Sequence, residues 1–259
     1  MKKENKTQRK AYPSDVTDKQ WEQIKELFIG LREYDWPKRE LVNAVLYLVE
    51  NGCKWRSLPH DFPPYSTVHS FYRRAKISGL WDKILEFLVK KTRIAAERTE
   101  EPSYALIDSQ SVKTVYASEN RGFDGGGKKV KDRKRHVITD IMGNLLDVHV
   151  HAANIHDTKG GCYVFEKTLK KYPTIKADCG DEGYREFFKK IIEKIYKIKI
   201  DISKRIKPKF EILPKRWRVE RAFSWLNHSR RLSKDFEINT TSSAAMVKIS
   251  HIHTLLKRL

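Results

Sequence analysis

Three acidic residues stand where carboxylates could do chemistry together. Asp108 directly follows Tyr104-Ala-Leu-Ile107, a buried-strand pattern. A carboxylate there is desolvated unless something pairs with it. Asp181 lies in Ala177-Asp-Cys-Gly-Asp-Glu-Gly-Tyr184, just past a second short strand expected at 174–177. Carboxylates leaving two strands of one sheet can converge on one edge. Glu220 falls in an amphipathic helix expected over 216–232, where Arg216, Glu220, Asn227 and Arg231 lie within about 60° of one another on the helical wheel. The apolar stripe Val219, Ala222, Phe223 and Leu226 borders that polar line. Each acid also has an ordinary reading. Asp108 could start a turn through Ser109, and Arg216 with Glu220 could be a surface ion pair worth little. As a trio they suit phosphodiester chemistry. Magnesium takes one or two carboxylates, the rest being water and phosphate, and two ions roughly 4 Å apart activate the attacking oxygen and stabilise the leaving one. Arginines and an asparagine beside Glu220 could hold nearby phosphates.

The elements that must position these acids divide into a basic arm (1–13), an N-terminal helical part (14–98) and a sheet-bearing part (99–259). In the helical part, Thr17-Asp-Lys-Gln20 fits a capping box, followed by Trp21, Ile24 and Phe28 at helical spacing. Further helices are expected over 38–51, with Gly52 as the stop, from Ser66 or Thr67 to Arg74, and over 81–98 beyond Gly79. This is a module of helix–turn–helix size. Tyr65, His69, Tyr72, Arg73, Arg74 and Lys76 give its third helix a basic, aromatic surface suited to DNA, the alternative being a plain amphipathic helix. After a polar linker, strands are expected at 104–107, 136–141 and 145–153, the last two joined by a Met142-Gly143-Asn144 turn. Helix 158–171, strand 174–177, helix 184–196, strand 199–202, helix 216–232 and a helix from 242 follow. The order β-β-β-α-β-α-β-α describes a mixed sheet flanked by helices.

Charge narrows the partners. Lys and Arg number 53 against 33 Asp and Glu, a net charge of +20 and a pI of about 9.8, which attracts polyanions. Lys128, Lys129, Lys131, Arg133, Lys134 and Arg135 form a basic run after Gly125–Gly127, expected to be a charged loop that meets DNA phosphates with little sequence preference. No apolar stretch follows the basic start and none reaches 18 residues, so neither a signal peptide nor a membrane span is indicated. Three scattered cysteines make no disulfide or zinc pattern. The setting expected is the cytoplasm, at the nucleoid. His149 and His151 share a strand face and read as solvated. Asp157, after His156, reads as a turn cap that could also assist the acids.

The chain resembles bacterial insertion-sequence transposases of the DDE class, in the insertion-sequence four/five group. The likeness runs from about Asp15 to His253. It rests on Asp15-Val-Thr-Asp-Lys-Gln-Trp21, Asn51-Gly-Cys-Lys-Trp-Arg56, Leu58-Pro-His-Asp-Phe-Pro-Pro64, Ile107-Asp-Ser-Gln-Ser-Val-Lys113, the Gly125–His136 run, Asp181-Glu-Gly-Tyr184 and Arg216-Trp-Arg-Val-Glu-Arg-Ala-Phe-Ser-Trp-Leu226 with Arg230-Arg-Leu232. The resemblance implies a ribonuclease H-like catalytic core after a helical DNA-binding domain. It also implies a metal-binding catalytic triad of Asp108, Asp181 and Glu220 with two Mg²⁺ ions, Mn²⁺ being able to substitute. The partners implied are terminal inverted repeats and target DNA, with self-association on DNA. Asp181 is preferred to Asp178 because Gly183 and Tyr184 follow it in the family spacing. The 39-position step from Asp181 to Glu220 leaves no room for the β-rich insertion of some relatives. Leu213 and Asn227 stand where the group has tyrosine and lysine, so Arg230 or Arg231 is the alternative phosphate contact.

Overall fold

The computed structural model describes residues 9–115, 118–123, 131–203 and 214–259, with the side chains of Lys131 and of residues 214–216 left undescribed. The first part holds α1 (Asp18–Ile24), α2 (Lys38–Asn51), α3 (Tyr65–Ile77) and α4 (Leu80–Ala95). The capping box forms as expected: the Gln20 N–H donates to Thr17 Oγ1, and the Thr17 N–H donates to the Gln20 side chain. Gly52 ends α2 and Gly79 precedes α4, both at φ 72°, a left-handed conformation that glycine adopts without steric cost. Leu41, Val45 and Leu48 of α2, Val68 and Phe71 of α3, and Trp81, Leu85 and Leu88 of α4 are buried at helical spacing.

The sheet-bearing part contains β1 (Tyr104–Lys113), β2 (Gly122–Phe123), β3 (Lys131–Asp140), β4 (Leu145–Ala152), α5 (Asp157–Lys171), β5 (Ala177–Gly180), α6 (Phe187–Tyr196), β6 (Lys199–Ile202), α7 (Pro214–Asn227) and α8 (Thr240–Leu256). β4, β3 and β1 are antiparallel neighbours, and β5 and β6 continue the sheet in parallel with β1. The short β2 joins β3 at its start. This mixed sheet flanked by helices is the α+β architecture expected.

Three strand boundaries differ from expectation, and the helix expected over 216–232 stops at Asn227. β1 does not end at Asp108 but runs to Lys113, and β3 begins at Lys131 within the basic run. The cause is pairing: residues 105–113 lie opposite 132–140 in one uninterrupted ladder, and backbone hydrogen bonds hold a strand whose side chains are no longer apolar. β5 lies at 177–180, where β1 and β6 both offer partners, rather than at 174–177.

Side chains alternate across the sheet. Ile107, Ser109, Lys134 and His136 face α5, while Asp108, Arg133 and Arg135 face α7 and the segment leading into α8. α8 is buried nearly all round, packed on β4, α4 and α2. Apolar and charged contacts therefore join the first part of the chain to the sheet. Arg93 of α4 pairs with buried Asp140 at 2.7 Å, and Asp140 also accepts from the Met142 and Asn144 N–H groups of the hairpin turn. Asp82 of α4 bonds both Lys171 of α5 and Lys248 of α8, and both lysines also reach Asp147 of β4.

Burial pushes the Asp82 carboxyl up, but Lys248 and Lys171 pull it down further, from an ordinary 3.8 to about 2. A depressed carboxyl stabilises the fold above its unfolded value, and that contribution is lost as pH falls through the folded one. Asp82→Asn therefore costs about 1–3 kcal/mol at neutral pH. In urea unfolding, its difference from wild type shrinks as pH falls from about 4 toward 2.

Candidate active site

The candidate site forms where the sheet loses its parallel half. β1 and β5 pair only from Tyr104↔Ala177 to Leu106↔Cys179. Asp108 and Asp181 each lie two residues beyond that last pair, one still in β1 and the other just past the end of β5. Both line a narrow cleft with Leu106, Ile107, Cys179, Gly180 and Val219 of α7. Each carboxylate is anchored locally. The Ser109 N–H donates to Asp108 Oδ1 at 2.7 Å, and the Gly183 N–H donates to Asp181 Oδ1 at 2.9 Å, capping a 3₁₀ turn over Glu182–Tyr184.

Glu220 follows Val219 but is exposed on α7. Among the described residues, no three His, Cys, Asp or Glu side chains stand close enough to hold one ion. The paired aspartates are hard oxygen donors in one cleft, which fits a magnesium-like ion needing one or two carboxylates. Asp178, the competing register, lies within β5, wholly buried and away from the cleft lining. Its carboxyl has no side-chain partner in hydrogen-bond range.

From Lys131 onward the basic run is strand β3 rather than a loop. Lys128 and Lys129 lie outside the described residues, and Lys131 opens β3. Strand alternation sends the rest to opposite faces, so Arg133 and Arg135 are a correction to the expected DNA contacts. Both are buried. Arg133 pairs with Asp235 at 3.1 Å and donates to the carbonyls of Glu119, Glu237 and Ile238, while Arg135 donates to that of Leu232. Guanidinium groups so committed inside the protein are not available to phosphate. Arg231 is corrected likewise: it is buried against Glu237 at 2.7 Å and donates to the Cys53 carbonyl. Lys134 turns to the α5 face and pairs with Asp157 at 3.0 Å.

Arg73, Arg74, Asn227 and Arg230 are exposed, and Arg216 lies in α7 with its side chain undescribed. Of the other α3 residues expected at a surface, Tyr72 is buried, and Lys76 donates to Ser242 Oγ at 2.9 Å, tying α3 to the start of α8. His149 is half-buried and His151 buried, not solvated, because α5 covers them. Burial, then His151, holds His149 down at about 4.

Two groupings escaped the sequence reading. On α7, the Arg221 guanidinium lies 4.5 Å from the Trp217 ring and 4.8 Å from that of Trp225, with Arg258 3.8 Å from Trp225. The i,i+4,i+8 spacing of Trp217, Arg221 and Trp225 was the available signal. Behind the cleft, Tyr184 is buried and shares a 2.9 Å hydrogen bond with His136 Nδ1. A Cβ on Gly161 would come within 2.8 Å of the Tyr184 ring, and one on Gly180 within 3.0 Å. Those glycines were the sign that an aromatic ring is wedged there.

Residues 100–255 match the transposase DDE domain, and residues 16–85 match the putative transposase of IS4/5 family. The chain belongs to the transposase DDE domain family. It is 32% identical over 87 residues to the insertion element IS402 uncharacterized 16.2 kDa protein of Burkholderia cepacia, a match that takes in 32% of this chain and 57% of that protein. The chain thus spans little more than half the length of that curated relative. It is also similar, at a TM-score of 0.33 and 10% identity, to the crystal structure of the Mos1 mariner paired end complex with Mn, over 92% of this chain and 83% of that one. No helix among the described residues is long and apolar enough to cross a membrane.

Asp178 supplies a test of the register that is independent of activity. Burial pushes its carboxyl up from an ordinary 3.8 to about 8, against a smaller pull from the Cys179 backbone. A carboxyl raised in the folded state loses stability for the protein as pH climbs from its unfolded value to its folded one. Asp178→Asn is thus expected to match wild type near pH 4 and to exceed it in thermal unfolding midpoint at about pH 8 and above.

Proposed function

We propose that the chain is a DNA transposase that binds the terminal inverted repeats of its insertion sequence and cleaves and joins DNA strands at the Asp108–Asp181 cleft. One observation carries the reading: the only two acids lining that cleft, among the described residues, sit at matching offsets past the last β1–β5 pair. Asp108 and Asp181 would hold two divalent ions, Mg²⁺ or Mn²⁺, with Glu220 of α7 as the third carboxylate. Such ions, when bound, activate the attacking oxygen and stabilise the leaving one. The chain's own part is positioning. Backbone N–H groups of Ser109 and Gly183 hold the two carboxylates in orientation, and apolar Leu106, Ile107 and Val219 limit water around them.

Phosphates would meet the exposed cations Arg73, Arg74 and Arg230 with Asn227, joined by Arg216, Lys128, Lys129 and Lys131. Binding of this kind weakens steeply with salt. Joining two element ends requires at least two copies of the chain on the DNA, and an intracellular location at the nucleoid goes with that substrate.

Mg²⁺- or Mn²⁺-dependent cleavage of DNA carrying the flanking repeats tests the proposal. Asp108→Asn, Asp181→Asn and Glu220→Gln should each lower the rate by about 10³-fold or more, with repeat binding retained and Asp178→Asn active. A wild-type protein that binds the repeats but never cuts them would overturn the catalytic reading. An active Glu220→Gln would remove Glu220 from the triad.

A further inference from the structure

We infer that Asp157 is a positioning residue for the two cleft aspartates, acting through Ser109 and the turn at Gly183; the inference rests on the metal-dependent reading of that cleft. Asp157 is the first residue of α5. Its Oδ1 accepts from Ser109 Oγ at 3.1 Å and from Lys134 Nζ at 3.0 Å, and lies 3.5 Å from His136 Nε2. Ser109 is the chain neighbour of Asp108 and donates its N–H to that carboxylate. The link from α5 therefore reaches Asp108 through one residue whose side chain and backbone are both engaged.

The second arm reaches Asp181. A Cβ on Gly183 would lie 3.0 Å from Asp181 Oδ1 and 3.8 Å from Asp157 Oδ2, so the two carboxylates flank one glycine. That glycine's N–H is the donor to Asp181. Tyr184 follows it, and its hydroxyl bonds His136 Nδ1 at 2.9 Å. Burial raises the Tyr184 phenol well above its ordinary value. Burial and the neighbouring His151 and Lys134 keep His136 neutral.

Close packing fixes the arrangement. A Cβ on Gly160 would come within 2.3 Å of His151 Nε2 and 2.6 Å of His136 Nε2, so the first turn of α5 lies directly on both imidazoles. Asp157 cannot shift without moving that turn. Lys134 supplies a positive charge that offsets part of the repulsion among acids gathered around Ser109 and Gly183. Asp157 thus sets where the carboxylates of β1 and of the turn after β5 stand relative to each other.

Mn²⁺ titration of the purified full chain, followed by electron paramagnetic resonance, tests this alongside repeat cleavage. Asp157→Asn and Ser109→Ala are expected to weaken Mn²⁺ binding about tenfold or more, as partners behind metal ligands do, and to raise the Mn²⁺ concentration needed for half-maximal cleavage. Repeat affinity should stay at the wild-type value. Ser109→Ala removes a single hydroxyl and keeps the test open if Asp157→Asn does not fold. Asp157→Glu should recover part of the loss, which a purely structural helix-start role would not require. Wild-type Mn²⁺ affinity in both Asp157→Asn and Ser109→Ala, with Asp108→Asn impaired, overturns the positioning role alone. No Mn²⁺ binding by wild type, or none lost in Asp108→Asn, overturns the metal-dependent reading beneath it.

Discussion

The unequal length of neighbouring strands is the constraint on which the site depends. β1 and β3 pair over nine residues, whereas β5 pairs with β1 over three. From Ile107 to Val112, β1 is paired along one edge only, by β3. A strand with both edges paired would bury whatever lay at position 108 between neighbours on each side. A strand with neither edge paired would not hold it in a fixed orientation. One rigid edge and one open edge give Asp108 a fixed backbone and an unobstructed side, and Asp181 emerges from β5 into that same opening. α7 then closes the opening from the face that Asp108 points to, bringing Val219 into the cleft.

The surrounding protein converts that local geometry into a stiff one through charges that are buried and paired. Arg93 with Asp140 and Lys248 with Asp82 and Asp147 tie the first four helices to the hairpin and to α8. Arg133 with Asp235 and Arg231 with Glu237 tie the segment before α8 to β3 and to the Cys53 backbone. Buried pairs of this kind often add little net stability over apolar residues, yet breaking one leaves a charge stranded and is costly. They therefore fix relative placement more than they add to the free energy of folding. α8, buried on almost every side, completes the same joint.

Helices and caps were legible in the sequence because their causes are local. The Thr17–Gln20 box, the α2 span with its Gly52 stop, and β6 at 199–202 follow from neighbours a few residues apart. The resemblance to a family pointed to Asp108 and Asp181, and these two line one cleft, while Glu220 stays exposed. Strand limits were not legible, because they depend on a partner distant in sequence. Asp108 reads as a strand end when only the apolar run is counted, and becomes mid-strand once Val137 lies opposite it. His149 and His151 read as solvated until α5 covers them. Asp157 reads as a turn cap until Ser109 and Gly183, about 48 and 26 residues away in the chain, arrive beside it.

The same non-local pairing changes what the net charge of +20 means. A run of six cations within eight positions invites the assumption of one continuous phosphate-binding surface. Once part of that run becomes β3, its period of two separates Arg133 and Arg135 from Lys134. The arginines go under the segment before α8, where carbonyls and Asp235 take their donors, and the lysine goes to Asp157. Strand alternation thus spends these cations on the two faces of the sheet, one set holding the C-terminal part in place and the other sitting behind the cleft aspartates. The long-range attraction for a polyanion survives, because it depends on total charge. Contact specificity does not follow from the run. Among the described arginines expected at DNA, those left open to solvent are Arg73 and Arg74 of α3 and Arg230 after α7, which the sequence marks less loudly.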